Sequence, residues 1–312
     1  MTRIITVGAA QMGPIQRTES RAQAVERLIK LLGDAKSNAC DFVVFPECAL
    51  TAFFPHWWFD NQDDIDAFFE REMPNAATEP LFKLARDWRI GFYLGFAELA
   101  IEDGVARHFN TSILVDKTGH IVGKYRKVHL PGHREHKPAN PFQNLEKRYF
   151  EVGNLGFPVF RVFGGIVGMA ICNDRRWPET YRVMGLQGVE MIVLGYNTPI
   201  HNPPAPEHDN LGNFHNQLVM QAGAYQNGTW VVGVAKAGDE GGIRQIGNSM
   251  IIAPSGEIVA ACTTERDELA IARCDLDLCA SYKSTTFNFA AHRRTEAYRL
   301  IVEQTGVVLP PD

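Results

Sequence analysis

Cys172 lies where an apolar stretch changes abruptly into a polar and then cationic one. Residues Val167–Ile171 have the character of a buried strand, and residues 173–176 are Asn-Asp-Arg-Arg. A thiolate nucleophile is stabilised by nearby positive charge, whereas a structural cysteine has no need of it. Taken alone, the position fits a small core residue at a strand end more often than a nucleophile. Cys172 is therefore a candidate nucleophile that needs support from elsewhere in the chain.

Two other segments offer the groups that a cysteine nucleophile requires. Glu47 follows an apolar strand and the pair Phe45-Pro46, a setting that suits a carboxylate for proton transfer. Lys127 lies in a basic stretch that is either solvated surface or the source of an ammonium for an oxyanion. Because ligand sites form at the carboxyl ends of strands in open α/β sheets, we expect Glu47, Lys127 and Cys172 to meet there.

Composition excludes several other classes of protein. The chain has 312 residues, 45 % of them hydrophobic and 21 % charged, as in an ordinary globular protein. A net charge of −5 gives no basic surface for nucleic acid, and no apolar run is long enough to cross a membrane. The six cysteines lack the spacing of a disulfide framework or a zinc site. We expect no metal, no cofactor, no signal peptide and a cytoplasmic location.

Apolar strands and amphipathic helices alternate along the chain. Predicted strands cover residues 4–10, 41–45, 91–97, 166–171, 189–194 and 229–235, and predicted helices cover 20–39, 178–186 and 211–227. Predicted hairpins over 111–123 and 250–259 echo each other, each turning at a Ser/Thr-Gly pair. The pattern predicts an α/β fold in which two mixed sheets stack as a four-layer α-β-β-α sandwich covered by helices.

No linker divides the chain, so the sequence predicts a single domain over residues 1–312. The tail from about residue 280 is rich in charge and aromatics and has little periodicity. We expect it to pack on the body of the protein or on a partner subunit, in a homodimer or homotetramer.

Three segments together resemble the signature segments of the nitrilase superfamily. They are Phe45-Pro46-Glu47, residues 125–130 (Tyr-Arg-Lys-Val-His-Leu) and residues 171–174 (Ile-Cys-Asn-Asp). Their order and wide spacing match, and the resemblance extends from about residue 4 to 300. It implies the same sandwich fold and cleavage of carbon–nitrogen bonds, with Glu47 as base, Lys127 as oxyanion stabiliser and Cys172 as nucleophile.

Five further segments resemble the N-carbamoyl-D-amino acid amidohydrolases within that superfamily: residues 51–55, 130–133, 145–150, 172–179 and 195–199. This resemblance implies that Glu146 is an auxiliary carboxylate that orients Lys127 and the substrate. It also implies a substrate-binding set of Asn173, Arg175, Arg176, Asn197 and Thr198. One departure is Asn144, which stands where a histidine is expected.

The charge pattern independently favours an anionic substrate. Two adjacent arginines shortly after a nucleophile suit a fixed carboxylate, because guanidinium groups bind carboxylates bidentately. The alternative, surface arginines at the start of a helix, is disfavoured by the helix dipole. Arg175 and Arg176 thus predict a small-molecule substrate that carries a carboxylate.

Other side chains carry weaker indications. His129 and His215 are candidates for hydrogen bonding near the site, although an isolated histidine is more often structural. Trp57, Trp58 and Phe59 are either core residues or the wall of an apolar side-chain pocket. The loop with His201 and His208 is rich in proline, which fits a rigid surface or interface loop better than a metal site.

The predicted reaction is hydrolysis of an N-carbamoyl-D-amino acid to the D-amino acid, carbon dioxide and ammonia through a cysteine carbamoyl thioester. Alternatives within the superfamily are an aliphatic amidase or a β-ureidopropionase. A remote alternative is a non-catalytic binding protein on the same fold. A cysteine protease requires a Cys–His pair in place of the Glu-Lys-Cys set.

Overall fold

The computed structural model describes residues 2–311, so the first and last residues of the predicted domain lie outside it. Its strands are β1 (Ile4–Gln11), β2 (Phe42–Val44), β3 (Gly91–Glu102), β4 (Val105–Val115), β5 (Ile121–Arg126), β6 (Val159–Val162), β7 (Gly165–Ile171), β8 (Met191–Tyr196), β9 (Trp230–Ala235), β10 (Ala237–Glu240), β11 (Ile243–Ile246), β12 (Met250–Ile252), β13 (Ile258–Ala261) and β14 (Glu268–Asp275). Its α-helices are α1 (Arg21–Ser37), α2 (Gln62–Asp66), α3 (Glu79–Trp88), α4 (Glu146–Tyr149), α5 (Pro178–Leu186), α6 (Gly212–Asn227), α7 (Leu278–Ser284), α8 (Phe289–His292) and α9 (Arg299–Glu303). None of the helices in the described part of the chain is both long and apolar enough to span a membrane.

Twelve of these strands form two six-stranded sheets of matching design, and β10 and β11 form a separate two-stranded sheet. The first has the order β14-β1-β2-β3-β4-β5, and the second has the order β13-β12-β9-β8-β7-β6. In each sheet three neighbouring strands are parallel, β1 to β3 in one and β7 to β9 in the other, and antiparallel strands flank them. The two hairpins that echo each other in sequence, β4–β5 and β12–β13, follow the third parallel strand of each sheet.

Two apolar layers hold the helices and sheets together. One core lies between the sheets, where Phe42 and Leu114 of the first sheet pack in the same cluster as Met169 and Val232 of the second. A second core joins the outer face of the first sheet to α1 and α3. On the far side, Met184 of α5 and Met220 of α6 cover the second sheet. The predicted four-layer α-β-β-α sandwich is confirmed.

The two sheets come into close contact beside Glu47. A side-chain carbon added at Gly195 of β8 would lie 2.2 Å from the backbone nitrogen of Glu47, and one at Gly95 of β3 would lie 2.8 Å from its Cα. Only glycine fits such contacts. The Tyr93 hydroxyl also bridges the sheets, donating to the Ala170 carbonyl and accepting from the Gly195 N–H. This contact region brings the ends of strands from both sheets to one place.

Candidate active site

Three side chains at strand ends converge in a buried cluster. Glu47 lies just beyond β2, Lys127 directly follows β5, and Cys172 directly follows β7. Lys127 Nζ donates to Glu47 Oε1 at 2.8 Å and to Glu146 Oε2, and both ion pairs are buried. One carboxylate oxygen of Glu47, one of Glu146 and the Cys172 Sγ all lie within 4.8 Å of one another. A single reacting atom can therefore contact all of these groups.

Glu47 is held as a hydrogen-bond acceptor from several directions. Its Oε1 accepts from Asn110 Nδ2 at 2.8 Å in addition to Lys127, and its Oε2 accepts from the Asn197 backbone N–H at 2.8 Å and from Asn197 Nδ2 at 3.1 Å. Asn197 directly follows β8, so strands of both sheets orient this carboxylate. Such fixed geometry is what a general base needs, because the proton must be transferred along a defined direction.

Cys172 sits on a sharp turn between β7 and a short 3-10 helix, Cys172–Arg176. Its φ of 48° is in the left-handed region, which costs a non-glycine residue of order 1 kcal/mol or more. The buried Asp174 organises this turn, because its carboxylate accepts from the Ile171 N–H, the Tyr125 hydroxyl and the His129 N–H. The turn aims Sγ toward the Asn197 carbonyl, 3.4 Å away.

Burial and charge shift the ionisation of the cluster in opposing directions. Burial and the Glu47 carboxylate raise the pKa of the Cys172 thiol, while Lys127 and Arg175 act to lower it. Burial lowers the pKa of Lys127, but the surrounding negative groups more than offset this effect and raise it well above its usual value. Burial raises the pKa of Glu146 to about 7, although the bound Lys127 opposes the change. Lys127 is thus a permanent cation between acidic groups.

A cavity of about 470 Å³ opens onto Cys172 and Glu146. Its lining contains apolar groups from Phe53, Phe142 and Ile200, and one carboxylate, that of Glu146. The basic side chains of the lining are Lys137, Arg176, His56, His133, His201, His208 and His215. The volume is in the range that holds a small metabolite.

The predicted substrate-binding residues fall into two groups. Arg176, Asn197 and Thr198 line the cavity, as does Asn144, which replaces the expected histidine. Arg176 is exposed, and its Nη1 donates to Asn173 Oδ1 at 3.0 Å. Among residues 2–311 no carboxylate forms an ion pair with Arg176, and the like charge of Arg175 lowers the pKa of Arg176 to about 10.

Arg175 and Asn173 do not line this cavity. Arg175 is buried behind the nucleophile with 1 % of its surface exposed, and protein groups accept hydrogen bonds from its guanidinium. The Asn173 side chain points away and donates to the His129 carbonyl at 3.1 Å. Of the two arginines predicted to bind a substrate carboxylate, only Arg176 is therefore accessible from the cavity.

Of the remaining predicted residues, one lines the cavity and the others lie outside it. His215 lines the cavity, whereas His129 lies outside it with Nδ1 2.8 Å from Asp174 Oδ1. Trp57 and Trp58 line a neighbouring surface pocket and do not form the wall near Cys172. Phe59 packs against Phe68 and Tyr149.

Several residues near the site were not among the site residues predicted from the sequence. Asn110 lies within β4 and in no motif, so only the three-dimensional structure connects it to Glu47. Phe53, His56 and Phe142 reach the cavity from loops whose path periodicity does not predict. Asp174 lies two residues after Cys172, and a charged residue so close to a candidate nucleophile is a usable signal.

Comparison with known proteins agrees with this geometry. A model of the family described as carbon–nitrogen hydrolase matches residues 6–284. The chain belongs to the carbon–nitrogen hydrolase family. Its membership of the nitrilase superfamily, and with it hydrolysis of carbon–nitrogen bonds, follows from that match.

Relatives of this carbon–nitrogen hydrolase include a nitrilase and several amidases. It is 29 % identical to a nitrilase from Pyrococcus abyssi over 95 % of this chain and 99 % of that protein. It is 28 % identical to an N-carbamoylputrescine amidase from Arabidopsis thaliana over 97 % of each. Among solved structures, a carbon–nitrogen hydrolase from Helicobacter pylori has the same fold, with a TM-score of 0.82 at 23 % identity over 97 % of this chain and 99 % of that one.

Proposed function

We propose that this carbon–nitrogen hydrolase cleaves N-carbamoyl-D-amino acids to the D-amino acid, carbon dioxide and ammonia. The observation that carries the proposal is Arg176, a cation in the cavity of the nucleophile with no carboxylate partner among the described residues. The one carboxylate in the lining, Glu146, is already bound by Lys127. A guanidinium in this position favours a substrate that carries its own carboxylate.

The positive charge of the cavity lining also disfavours N-carbamoylputrescine, the compound in the name of one relative. N-carbamoylputrescine carries an ammonium group at neutral pH, and it would meet Lys137 and Arg176 without a free carboxylate in the lining. Like charges in a confined site cost binding free energy. Plain amides and nitriles have no anion for Arg176 to bind. The preference for the D enantiomer is inferred from the resemblance of the five segments described above.

The reaction begins with attack of Cys172 on the ureido carbon. Glu47 accepts the thiol proton, and Sγ forms a bond to carbon. Lys127 and a backbone N–H near Asn173 stabilise the oxyanion of the tetrahedral intermediate, a contribution of about 10²–10³ in rate for one donor. Glu47 then returns the proton to the departing nitrogen, and ammonia leaves a carbamoyl thioester on Cys172.

Hydrolysis of the thioester completes the cycle. Glu47 removes a proton from water as the water oxygen attacks the carbonyl carbon, and the Cys172 thiol is regenerated. The product is a carbamic acid, which loses carbon dioxide to give the free amino acid. Glu146 holds Lys127 in place throughout, since its carboxylate is bound to the Lys127 ammonium.

A panel of substrates that share a cleavable bond tests the proposal. Initial rates of ammonia release are measured for N-carbamoyl-D-phenylalanine, its L enantiomer, N-carbamoyl-β-alanine, a simple aliphatic amide and a nitrile. We expect the D-carbamoyl acid to be the best substrate. Preference for N-carbamoyl-β-alanine indicates a β-ureidopropionase, and preference for the amide or the nitrile leaves only the assignment to the superfamily.

A substitution of Arg176 tests whether this residue causes the preference for a substrate with a carboxylate. Arg176→Ala removes a charge-assisted contact worth about 1.5–3 kcal/mol, so kcat/KM for the D-carbamoyl acid should fall roughly 10- to 150-fold. The decarboxylated N-alkylurea with the same side chain lacks the anion and serves as the matched control substrate. An equal loss on both substrates would show that Arg176 does not bind the carboxylate.

A further inference from the structure

Arg175 lies directly behind the nucleophile, enclosed by protein. Its Nη1 donates to the Cys172 carbonyl at 2.6 Å and lies 3.7 Å from Cys172 Sγ. Its Nε donates to Asn216 Oδ1 at 2.8 Å, and its Nη2 donates to Thr198 Oγ1 at 2.9 Å. All three guanidinium nitrogens are therefore occupied by groups of the protein.

Buried neighbours hold this guanidinium in place. Its central carbon stacks over the Tyr196 ring, 4.3 Å from the ring centroid. Asn216, which accepts from Arg175, donates in turn to the Tyr196 hydroxyl at 3.0 Å, and that hydroxyl donates to the Asn248 carbonyl at 2.7 Å. The network joins α6, β8 and the loop before β12 to the turn that carries Cys172. A guanidinium fixed in this way cannot turn toward a ligand in the cavity without breaking several hydrogen bonds.

We propose that Arg175 is a positioning residue for the nucleophile. It holds the Cys172 carbonyl so that the left-handed turn keeps Sγ at the cavity, and it supplies positive charge to the thiolate. Arg176 alone then remains for the substrate carboxylate. The expected effect of Arg175 on turnover rests on the proposed function, whereas its expected effect on the Cys172 thiolate does not.

The electrostatic surroundings of Cys172 show why a second cation matters. The charged groups near the thiol are the carboxylates of Glu47 and Glu146, the cations of Lys127 and Arg175, and the exposed cation of Arg176 across the cavity. The two carboxylates and burial disfavour a thiolate, and Lys127 is already paired with both carboxylates. In the described structure Arg175 has no carboxylate partner within ion-pairing distance, so its charge is available to the sulfur.

Alkylation by iodoacetamide tests the charge contribution without any substrate. The thiolate displaces iodide and forms a thioether, so the rate follows the thiolate fraction. Reaction at Cys172 is measured by peptide mass spectrometry over a range of pH. We expect Arg175→Met to slow alkylation roughly tenfold at neutral pH and to move the alkylation profile to higher pH, since one pKa unit changes the thiolate fraction tenfold. Arg175→Lys, which retains a cation, should recover part of this loss.

Steady-state kinetics separate positioning from substrate binding. A misplaced nucleophile lowers kcat, by about 10²-fold for a displacement near 1 Å, and does so for any substrate. Arg175→Met should therefore lower kcat for the D-carbamoyl acid and for its decarboxylated alkylurea by similar factors, with little change in KM. Arg176→Met is the matched control, with the same change one residue along, and should raise KM for the acid while slowing alkylation of Cys172 less than Arg175→Met does, because Arg176 is exposed and Arg175 is buried beside the sulfur.

Asn216→Ala gives a second route to the same question if Arg175→Met does not fold. It removes the partner of Nε and leaves the buried charge, so it should produce a smaller fall in kcat for both substrates. The proposal is overturned if Arg175→Met or Asn216→Ala raises KM for the acid alone, with alkylation and kcat unchanged. If the wild-type protein hydrolyses no N-carbamoyl amino acid, the proposed function fails, and the alkylation profiles alone decide the role of Arg175.

Discussion

At the scale of single residues, the site depends on charges that are buried and paired. Lys127 is bound by Glu47 and Glu146 without access to solvent, and removal of one member leaves the others unbalanced. Groups arranged in this way act as one unit in catalysis, and their contributions are not additive. That Glu47, Lys127 and Cys172 lie together was predictable from sequence, because each of them follows a strand and lies in a recognisable motif.

Substitutions of Glu47, Lys127 and Cys172 should show that these groups act as one unit. Cys172→Ala should abolish turnover with an unchanged circular dichroism spectrum. Glu47→Gln and Lys127→Met should each lower kcat by about 10³-fold or more, and the double variant should lose little beyond the larger single loss. Steady-state rates measure these effects. If the loss in the double variant equals the product of the single losses, the three groups act independently.

The buried His56 should make the free energy of unfolding depend on pH. It is 2 % exposed, and burial together with the charge of Lys236 lowers its pKa to about 3. Because the unfolded chain binds a proton near pH 6.5, the stability associated with neutral His56 is present above pH 6.5 and is lost as pH falls toward 3. Between pH 7 and 5 this loss amounts to about 2 kcal/mol.

Urea unfolding at pH 7 and pH 5 measures that loss, with His56→Gln as the variant that cannot be protonated. The difference in the free energy of unfolding between the two pH values should be about 2 kcal/mol smaller in His56→Gln than in the wild-type protein. Equal differences in the two proteins would show that His56 does not contribute to the pH dependence.

At the scale of elements, another buried ion pair holds the segment that contributes Phe53 to the cavity lining. Lys236 Nζ lies 2.9 Å from Glu240 Oε2, and both side chains are inaccessible to solvent. Lys236 donates to the Thr51 carbonyl, and Glu240 accepts from the backbone N–H groups of Phe53 and Ile15. The pair joins β10 and the residue before it to the segment that follows Glu47.

Breaking the Lys236–Glu240 ion pair should lower the free energy of unfolding. Lys236→Met leaves Glu240 charged and buried, which should lower the free energy of unfolding by about 3–5 kcal/mol. Lys236→Met combined with Glu240→Gln removes both charges and should cost less than the sum of the single effects. Urea denaturation at neutral pH measures Lys236→Met, Glu240→Gln and the double variant, and additive losses would show that the two charges do not interact.

Sequence patterns predicted the central elements better than the peripheral ones. The parallel strands β1 to β3 and β7 to β9 are apolar runs, so their pattern was clear. The edge strand β14 is only partly buried, and its partner β1 lies more than 250 residues away in sequence, with Ile4 opposite Asp275. The direction of Arg175 was also unpredictable, because adjacent arginines at the start of a helix differ in orientation only through the packing of α6 and β8.

At the scale of the whole molecule, we propose that the protein forms a homo-oligomer, a dimer or a tetramer. Large apolar side chains of the C-terminal segment are exposed, among them Leu300 at 69 % and Val302 at 86 %. A cluster in sequence of large exposed apolar side chains suits an interface with another subunit. Light scattering at micromolar concentration should give a mass at least twice 34.9 kDa. Leu300→Glu should shift the protein toward smaller species, and a monomeric wild-type protein would contradict the proposal.

The measurement that tests the central claim most directly compares two substrates with the same reactive group and opposite charge. N-carbamoyl-D-phenylalanine presents a carboxylate to Arg176, whereas N-carbamoylputrescine presents an ammonium. Ammonia release gives kcat/KM for each, and Cys172→Ala controls for contaminating activity. We predict that kcat/KM for the acid exceeds that for the amine by at least about 10- to 150-fold, the range for one charge-assisted contact. Equal values, or a preference for N-carbamoylputrescine, would contradict the account.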